Sequence, residues 1–356
     1  MDNKVEILNN PEAIRQIDRE GMLEVAAKLP DMIVDALSFS LLGSLGKIDK
    51  LRQIVVAGMG GSAIAGNIIA DAISARSRLP IHVSRHYHLP AFVDAETLFF
   101  ALSYSGNTEE TISAVKEAGK RGAKIICVTS GGKLRELAEN NNYPYFLIPT
   151  GYQPRAALPY LLIPIIKVLE EKGLAAGLRE EVNEAVALLK KLEIDYAVDK
   201  QLRNNPVKQL AKKLIGKTPV IFASSGTTEA AGLRLKTQFN ENSKVTALFN
   251  VFPELDHNEI VNLSVLKREE HNFALVILRD DGDAERIKKR IEITKSLLVK
   301  QLGGANEIAA QGKSVLARIL SLIYFGDFLS VYLAVARGLD PTPVEIIARL
   351  KKELAR

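Results

Sequence analysis

The chain has 356 residues, 47% of them hydrophobic and 25% charged, with 47 Lys and Arg against 42 Asp and Glu. That length calls for about two domains, and that composition excludes the disordered and fibrous classes. The net charge of +5 is spread along the chain rather than clustered, which argues against nucleic-acid binding, and the single cysteine excludes an internal disulfide. The first residues, MDNKVEILNN, have neither the basic start nor the apolar core of an export signal, and no run of about 18 apolar residues promises a membrane span. The most apolar stretch, Ala156 to Leu169, is interrupted by Pro159, Pro164 and Lys167 and reads as a buried helix. A reducing cytoplasm is the expected location.

Residues 1–50 read as a helical N-terminal arm that packs on the first domain. Ile14, Ile17, Met22, Val25 and Ala26 recur at helical spacing over Pro11–Lys28, and Asp31–Leu42 continues the pattern. From Leu51 the rhythm changes. Short apolar runs at Ile54–Ala57, Leu98–Leu102, Lys124–Thr129 and Tyr145–Ile148 alternate with amphipathic helices, which predicts βαβ units on a mainly parallel sheet. This first domain covers 51–200 with its connecting helices; the charged helical segment Arg179–Gln209 is broken at Asn204-Asn205-Pro206, around which the connection between the domains is placed. A second domain, 201–356, has strands predicted at Val220–Ala223, Val245–Phe249 and Phe273–Leu278, then helices over Ser314–Arg337 and Pro343–Leu354. The fold class is α/β, with two doubly wound, mainly parallel sheets flanked by helices. Aligning Ile54–Gly58 with Val220–Ser224 brings Gly60 onto Gly226, Ser62 onto Thr228 and Gly66 onto Gly232, which points to an internal duplication.

Two motifs carry chemistry. Gly58-Met59-Gly60-Gly61-Ser62-Ala63-Ile64-Ala65-Gly66 follows a strand and opens a helix, so glycines let the backbone turn and approach a ligand, with Gly61 and Ser62 as candidate contacts. The spacing is not G-x-G-x-x-G and no acidic residue ends the next strand, which argues against a dinucleotide cofactor. Ser103-Tyr104-Ser105-Gly106-Asn107-Thr108 is the sharper signal. Three short hydroxyl residues, Ser103, Ser105 and Thr108, crowd one strand-to-helix turn and can donate to one anion beside the helix N-terminus. The plain alternative is a set of turn and N-cap residues, which would explain one hydroxyl more readily than three.

Both motifs resemble those of the sugar isomerase (SIS) domain family, whose S-x-S-G-x-T loop binds the phosphate of phosphosugars. Together with Arg85-x-Tyr87-x-Leu89-Pro90 and Tyr152-Gln153-Pro154-Arg155-Ala156, they resemble the bifunctional phosphoglucose/phosphomannose isomerases, from about Gly21 to the C-terminus. The resemblance implies an aldose–ketose isomerase working on fructose, glucose and mannose 6-phosphates by proton transfer through an enediolate, without metal or cofactor. It implies SIS-type sheets, a site between the lobes and a homodimer. In this likeness Glu241, in the polar run Phe239–Ser243, is the base; on residues alone it is an ordinary turn glutamate. His257 assists ring opening and reaches the partner's site, Lys351 acts at the ring oxygen, with Lys352 beside it as the alternative, and Arg155 stabilises the enediolate. Thr342 leaves room at C2 for both epimers.

The remaining features are weaker. His86 and His88 fall on one face of an expected strand with His82 near, but lack a carboxylate to complete a tetrahedral metal site. Cys127 lies in an apolar run and reads as core filler. The run after Phe273–Leu278, Arg279-Asp280-Asp281, has no hydroxyl cradle, so one phosphate site per chain is expected. Two other readings stand beside the isomerase: a non-catalytic sugar-phosphate regulator and an isomerase of another phosphosugar. The first would call for a helix-turn-helix head that residues 1–50 do not resemble.

Overall fold

A computed structural model describes residues 6–46, 48, 50–267 and 271–354. Helix α1, Pro11–Ile17, starts where the Asn10 side chain accepts from the N–H groups of Glu12 and Ala13 at 3.1 Å, with proline at a position that needs no donor. It ends at Asp18, whose carboxylate accepts from the N–H groups of Met22 and Leu23, each at 2.8 Å. Those bonds open α2, Met22–Ala27, behind Gly21 at φ +67°. The helix expected over Pro11–Lys28 is therefore two: the apolar spacing continues, but a capping carboxylate and a left-handed glycine break the backbone. Helix α3, Leu29–Leu37, stops short of Leu42, where the Lys167 ammonium donates to the carbonyls of Leu37 and Phe39 at 2.7 and 2.5 Å.

The chain divides into two compact units, one made of Leu29–Leu188 with Gln311–Leu320, the other of the segment up to Lys28, Leu189–Ala310 and the chain from Ser321. The first unit holds, in chain order, β1 (Gln53–Ala57), α4 (Gly60–Ile73), β2 (Ile81–Ser84), β3 (Thr97–Leu102), α5 (Glu109–Lys120), β4 (Lys124–Thr129), α6 (Gly132–Asn140), β5 (Tyr145–Leu147) and α7 (Leu158–Glu171). All pairings in its sheet are parallel, in the order β2-β1-β3-β4-β5. Strands β1 and β3 are buried throughout, as strands covered on both faces must be. The strand expected to carry His86 and His88 ends earlier: β2 stops at Ser84, lies at the sheet edge and has only that last residue buried. At the other edge Leu42 pairs with Tyr145, each N–H donating to the other's carbonyl at 2.9 Å.

The second unit takes in α1 and α2, which were expected to pack on the first domain, then runs from within α8 (Leu178–Tyr196) through α9 (Pro206–Leu214), β6 (Thr218–Ser224), α10 (Glu229–Gln238), β7 (Leu248–Phe252), α11 (Glu259–Ser264), β8 (Phe273–Arg279), α12 (Glu285–Leu302) and β9 (Ala305–Ala309), and after Leu320 holds the rest of α13 (Val315–Ala336) and α14 (Glu345–Leu354). Its sheet is also parallel, in the order β7-β6-β8-β9. Strand β7 starts three residues after its predicted first residue, Val245, because Val245 instead donates to the Phe239 carbonyl and accepts from Asn240. Helix α13 is long and apolar enough to cross a membrane, yet 94% of its most apolar window is buried inside the protein.

The two sheets share strand order up to the fourth strand, and their first helices sit on them alike. A Cβ on Gly66 would come within 2.9 Å of Val56 on β1 and 3.1 Å of Val83 on β2. A Cβ on Gly232 would come within 2.9 Å of Ala223 on β6 and 2.6 Å of Phe249 on β7. The glycines aligned from sequence thus do the same work, which supports the duplication.

Lys208 on α9 is fully buried, donating to the carbonyls of Val198 and Lys200 at 2.7 and 2.8 Å, with Nζ 5.3 Å from the centroid of the Tyr332 ring. Burial pulls its ammonium down to about 8 from 10.5. Between those values the unfolded chain holds a proton that the folded chain has released, so this group makes stability rise with pH across that window. In urea unfolding, the stability difference between wild type and Lys208→Met is expected to shift in favour of wild type from pH 8 to pH 10.5; a constant difference would contradict it. Gly66→Ala is expected to lower unfolding stability by about 1–3 kcal/mol, the clash outweighing the gain in helix propensity. An unchanged urea midpoint would show that the sheet yields.

Candidate active site

In the first unit β1 and β3 are neighbours, Ala57 opposite Ala101, and β2 and β4 lie on their outer sides. The connections leave the carboxyl ends of β1 and β3 in opposite directions and open a crevice, the usual ligand position in such sheets. Both chemistry-bearing turns lie there. After β1 the chain turns left-handed at Gly60, φ +49°, and enters α4. Ser62 in the first turn is buried. A Cβ on Gly61 would lie 3.0 Å from the Pro154 carbonyl oxygen and 3.1 Å from Arg155 Cα, so glycine lets the Arg155 segment approach the helix start.

After β3 comes the hydroxyl turn. Ser103 is buried, and its Oγ is 2.8 Å from Thr108 Oγ1. Thr108 stands at the N-cap of α5, yet its side chain makes no capping bond. The plain N-cap role is therefore not what this hydroxyl performs. Ser105 is exposed, and its Oγ accepts weakly from the Asn107 N–H at 3.4 Å. The turn rests on the loop after β4: Leu134 N–H donates to the Gly106 carbonyl at 2.9 Å, and Lys133 N–H to Asn107 Oδ1 at 3.2 Å. Gly106, at φ +69°, is so close to that loop that a Cβ would lie 1.7 Å from the Gly131 carbonyl oxygen.

Tyr104 links this turn to the Arg155 segment. Its phenol oxygen accepts from the Tyr152 N–H at 2.8 Å, and burial raises its pKa. Arg155 itself is 3% exposed. The segment between the motifs is anchored as well: Glu117 accepts from the Leu89 N–H, and Arg121 donates to the Pro90 carbonyl at 2.7 Å. The Leu89 N–H and the Arg121 charge hold the Glu117 carboxyl below its usual range.

The other candidates lie in the second unit. Glu241 is half-buried in a π-helical turn, Phe239–Ser243, that ends α10. The Asn242 side chain donates to Ser330 Oγ at 2.9 Å, and Ser243 Oγ to the Ser330 carbonyl at 2.5 Å, fastening the turn to α13. Thr342 is buried, and its N–H donates to Asp340 at 3.0 Å. His257 is exposed at the end of a 3-10 turn, Glu254–His257. Lys351 and Lys352 are both exposed in the last turn of α14, so exposure does not separate them. The structure thus gathers Gly61, Ser62, Ser103, Ser105, Thr108 and Arg155 in one unit and Glu241, His257, Thr342 and Lys351 in the other.

The second unit's counterpart of the glycine turn, Ser224–Thr228, is occupied by the chain's own carboxylate. Ser224 Oγ and Thr227 Oγ1 donate to Asp283 at 3.0 and 2.6 Å. Asp283 is missed by a motif reading, as are Tyr104's phenol bond and Gly131. The hydroxyl-rich run Ser224-Ser225-Gly226-Thr227-Thr228 could have flagged the first; nothing local flags the others. His86 and His88 lie past the end of β2 in a bend rather than on a strand face, and Glu117 comes within 4.0 Å of His88. Among the described residues no group of three or more His, Cys, Asp or Glu could hold a metal. Cys127 is buried, its thiol pushed up to about 12.

Two parallel sheets of matching order, each with a glycine-containing turn between its first strand and the helix on it, have the architecture of the SIS class. The SIS domain model matches residues 47–143, and the model of the bacterial phospho-glucose isomerase C-terminal SIS domain matches 203–354. The fold is shared with the C-terminal domain of glucosamine-fructose-6-phosphate aminotransferase from Francisella tularensis, at TM-score 0.69 and 17% identity over 90% of this chain and 98% of that one. A bifunctional phosphoglucose/phosphomannose isomerase of Caldicellulosiruptor bescii is 43% identical over 94% of this chain and 99% of its own length. Another from Thermoplasma acidophilum is 41% identical over 85% of this chain and 90% of its own. The chain belongs to the bifunctional phosphoglucose/phosphomannose isomerase family. It is an isomerase of phosphosugars, an intramolecular oxidoreductase.

The packing at Gly106 yields a test. Gly106→Ala has no room for its methyl and no favourable φ, so it is expected to weaken inorganic phosphate binding at least tenfold (about 1.4 kcal/mol) by calorimetry. Unchanged binding would separate the turn from anion recognition.

Proposed function

We propose that the protein interconverts fructose 6-phosphate with glucose 6-phosphate and mannose 6-phosphate. What carries this reading is identity above 40% with two proteins bearing both activities in their names, over most of the chain, together with the intact hydroxyl turn. Ser103, Ser105 and Thr108, with the start of α5, hold the ester phosphate by neutral donors and the positive helix end. Gly61 and Ser62 line the neighbouring turn.

From aldose to ketose one proton passes from C2 to C1 and one from the C2 hydroxyl to the C1 oxygen, so C1 is reduced as C2 is oxidised and no outside electrons are needed. The Glu241 carboxylate removes the proton from C2 of the open-chain aldose, giving an enediolate, and returns it to C1 to form the ketose. The reverse runs from C1 to C2, and delivery to either face of C2 yields either epimer, with Thr342 sparing room for both. Arg155 offsets the charge on the developing oxyanion, work that a fixed cation does well away from bulk water. Ring opening needs a proton moved at the ring oxygen, which falls to Lys351, or Lys352 beside it, with His257 assisting. In this reading no metal or cofactor takes part, the two sheets form successive SIS domains, 51–200 and 201–356, the protein is a homodimer to which each subunit lends His257, and it works in the cytoplasm.

A coupled assay from fructose 6-phosphate, reading the two aldose products separately, tests the assignment. Glu241→Gln is expected to keep substrate KM within about threefold while kcat falls by roughly 10²–10⁴. Retained turnover would remove Glu241 from the chemistry, and the absence of mannose 6-phosphate from wild type would remove the second activity.

A further inference from the structure

Glu241 and Thr342 lie on different loops of the second unit, and one ammonium joins them. Lys244 follows the π-helical turn at φ +52°, in the left-handed region that costs a non-glycine residue about 1 kcal/mol. Its Nζ donates to the Glu241 carbonyl at 2.8 Å and to the Pro341 carbonyl, next to Thr342, at 2.7 Å. Arg337 donates to the Ser243 carbonyl, and to that of Lys244 at 3.0 Å, so the backbone carrying this ammonium is itself held from the end of α13. The turn alone would be better served by glycine. A strained lysine there is accounted for by what its side chain reaches, and strain kept in this way belongs to working sites.

We propose that Lys244 is a positioning residue that locks the Glu241 turn to the Thr342 loop, and so sets how evenly the reaction accommodates the two C2 epimers. This rests on the reading of Glu241 as base and Thr342 as the residue beside C2. A base displaced by a fraction of an ångström relative to the groups around C2 loses turnover more than binding, because the misalignment is felt in proton transfer.

Lys244→Gly separates the two roles of the residue, since it relieves the backbone while deleting the ammonium, and Lys244→Arg keeps a cation. In Lys244→Gly, kcat on fructose 6-phosphate is expected to fall about tenfold with KM within about twofold. The ratio of initial rates of glucose 6-phosphate and mannose 6-phosphate formation should shift about two- to threefold, with Tm equal to or above that of wild type. Lys244→Arg should recover part of both kinetic changes. The proposal is overturned by wild-type kcat and product ratio in Lys244→Gly, or by a loss of kcat that comes with a lowered Tm, which would make the lysine a plain structural tie. Glu241→Gln assayed alongside tells the two failures apart. If it is inactive while Lys244→Gly behaves as wild type, only the positioning role falls; if it is active, the base assignment falls and takes this proposal with it.

Discussion

Contact without side chains is the constraint on which the site-bearing unit depends. Helix α4 lies so close to β1 and β2 at Gly66 that a single methyl would strike Val56. The start of the same helix lies equally close to Pro154 and Arg155 at Gly61. These approaches hold the helix start at the carboxyl end of the sheet, beside the hydroxyl turn that leaves β3. Dispersion and burial stabilise such packing only when the atoms meet closely, so the glycines here act as spacers of defined thickness.

The two sheets show what duplication keeps and what it releases. Both retain the parallel order and the glycine beneath the first helix. Their turns have diverged. In the first unit the turn after β3 leaves Ser105 exposed and pairs Ser103 with Thr108, on a turn braced by Gly106 and Gly131. In the second, the turn after β6 spends its hydroxyls on Asp283, an internal anion that satisfies the donors a ligand would otherwise need. The second unit instead supplies a braced carboxylate turn, fastened to α13 through Ser330.

Much of this was legible from residues, and the exceptions share a cause. The central strands could be read because burial on both faces leaves continuous apolar runs, as in Lys124–Thr129, which matched residue for residue. Strand β9 could not, because it lies at a sheet edge and only Ile308 in it is buried. The break at Asp18 escaped a periodicity argument because capping is a hydrogen-bond event that leaves the apolar spacing intact. For the site, the hydroxyl turn was visible because its residues are consecutive. Lys244 was not, since its meaning lies in two carbonyls a hundred residues apart, those of Glu241 and Pro341.

The bridge between Leu42 and Tyr145 has a consequence for how the molecule behaves in a crowd. Strand β5 is a sheet margin, and margins invite pairing with strands of other molecules. Tyr145 already spends both of its outward backbone groups on Leu42, and the strand runs only to Leu147. An approaching chain therefore finds its first anchoring rung taken and little length beyond it. The segment between the N-terminal helices and the first strand, which looks like mere connection, thus serves as a guard against templated self-association.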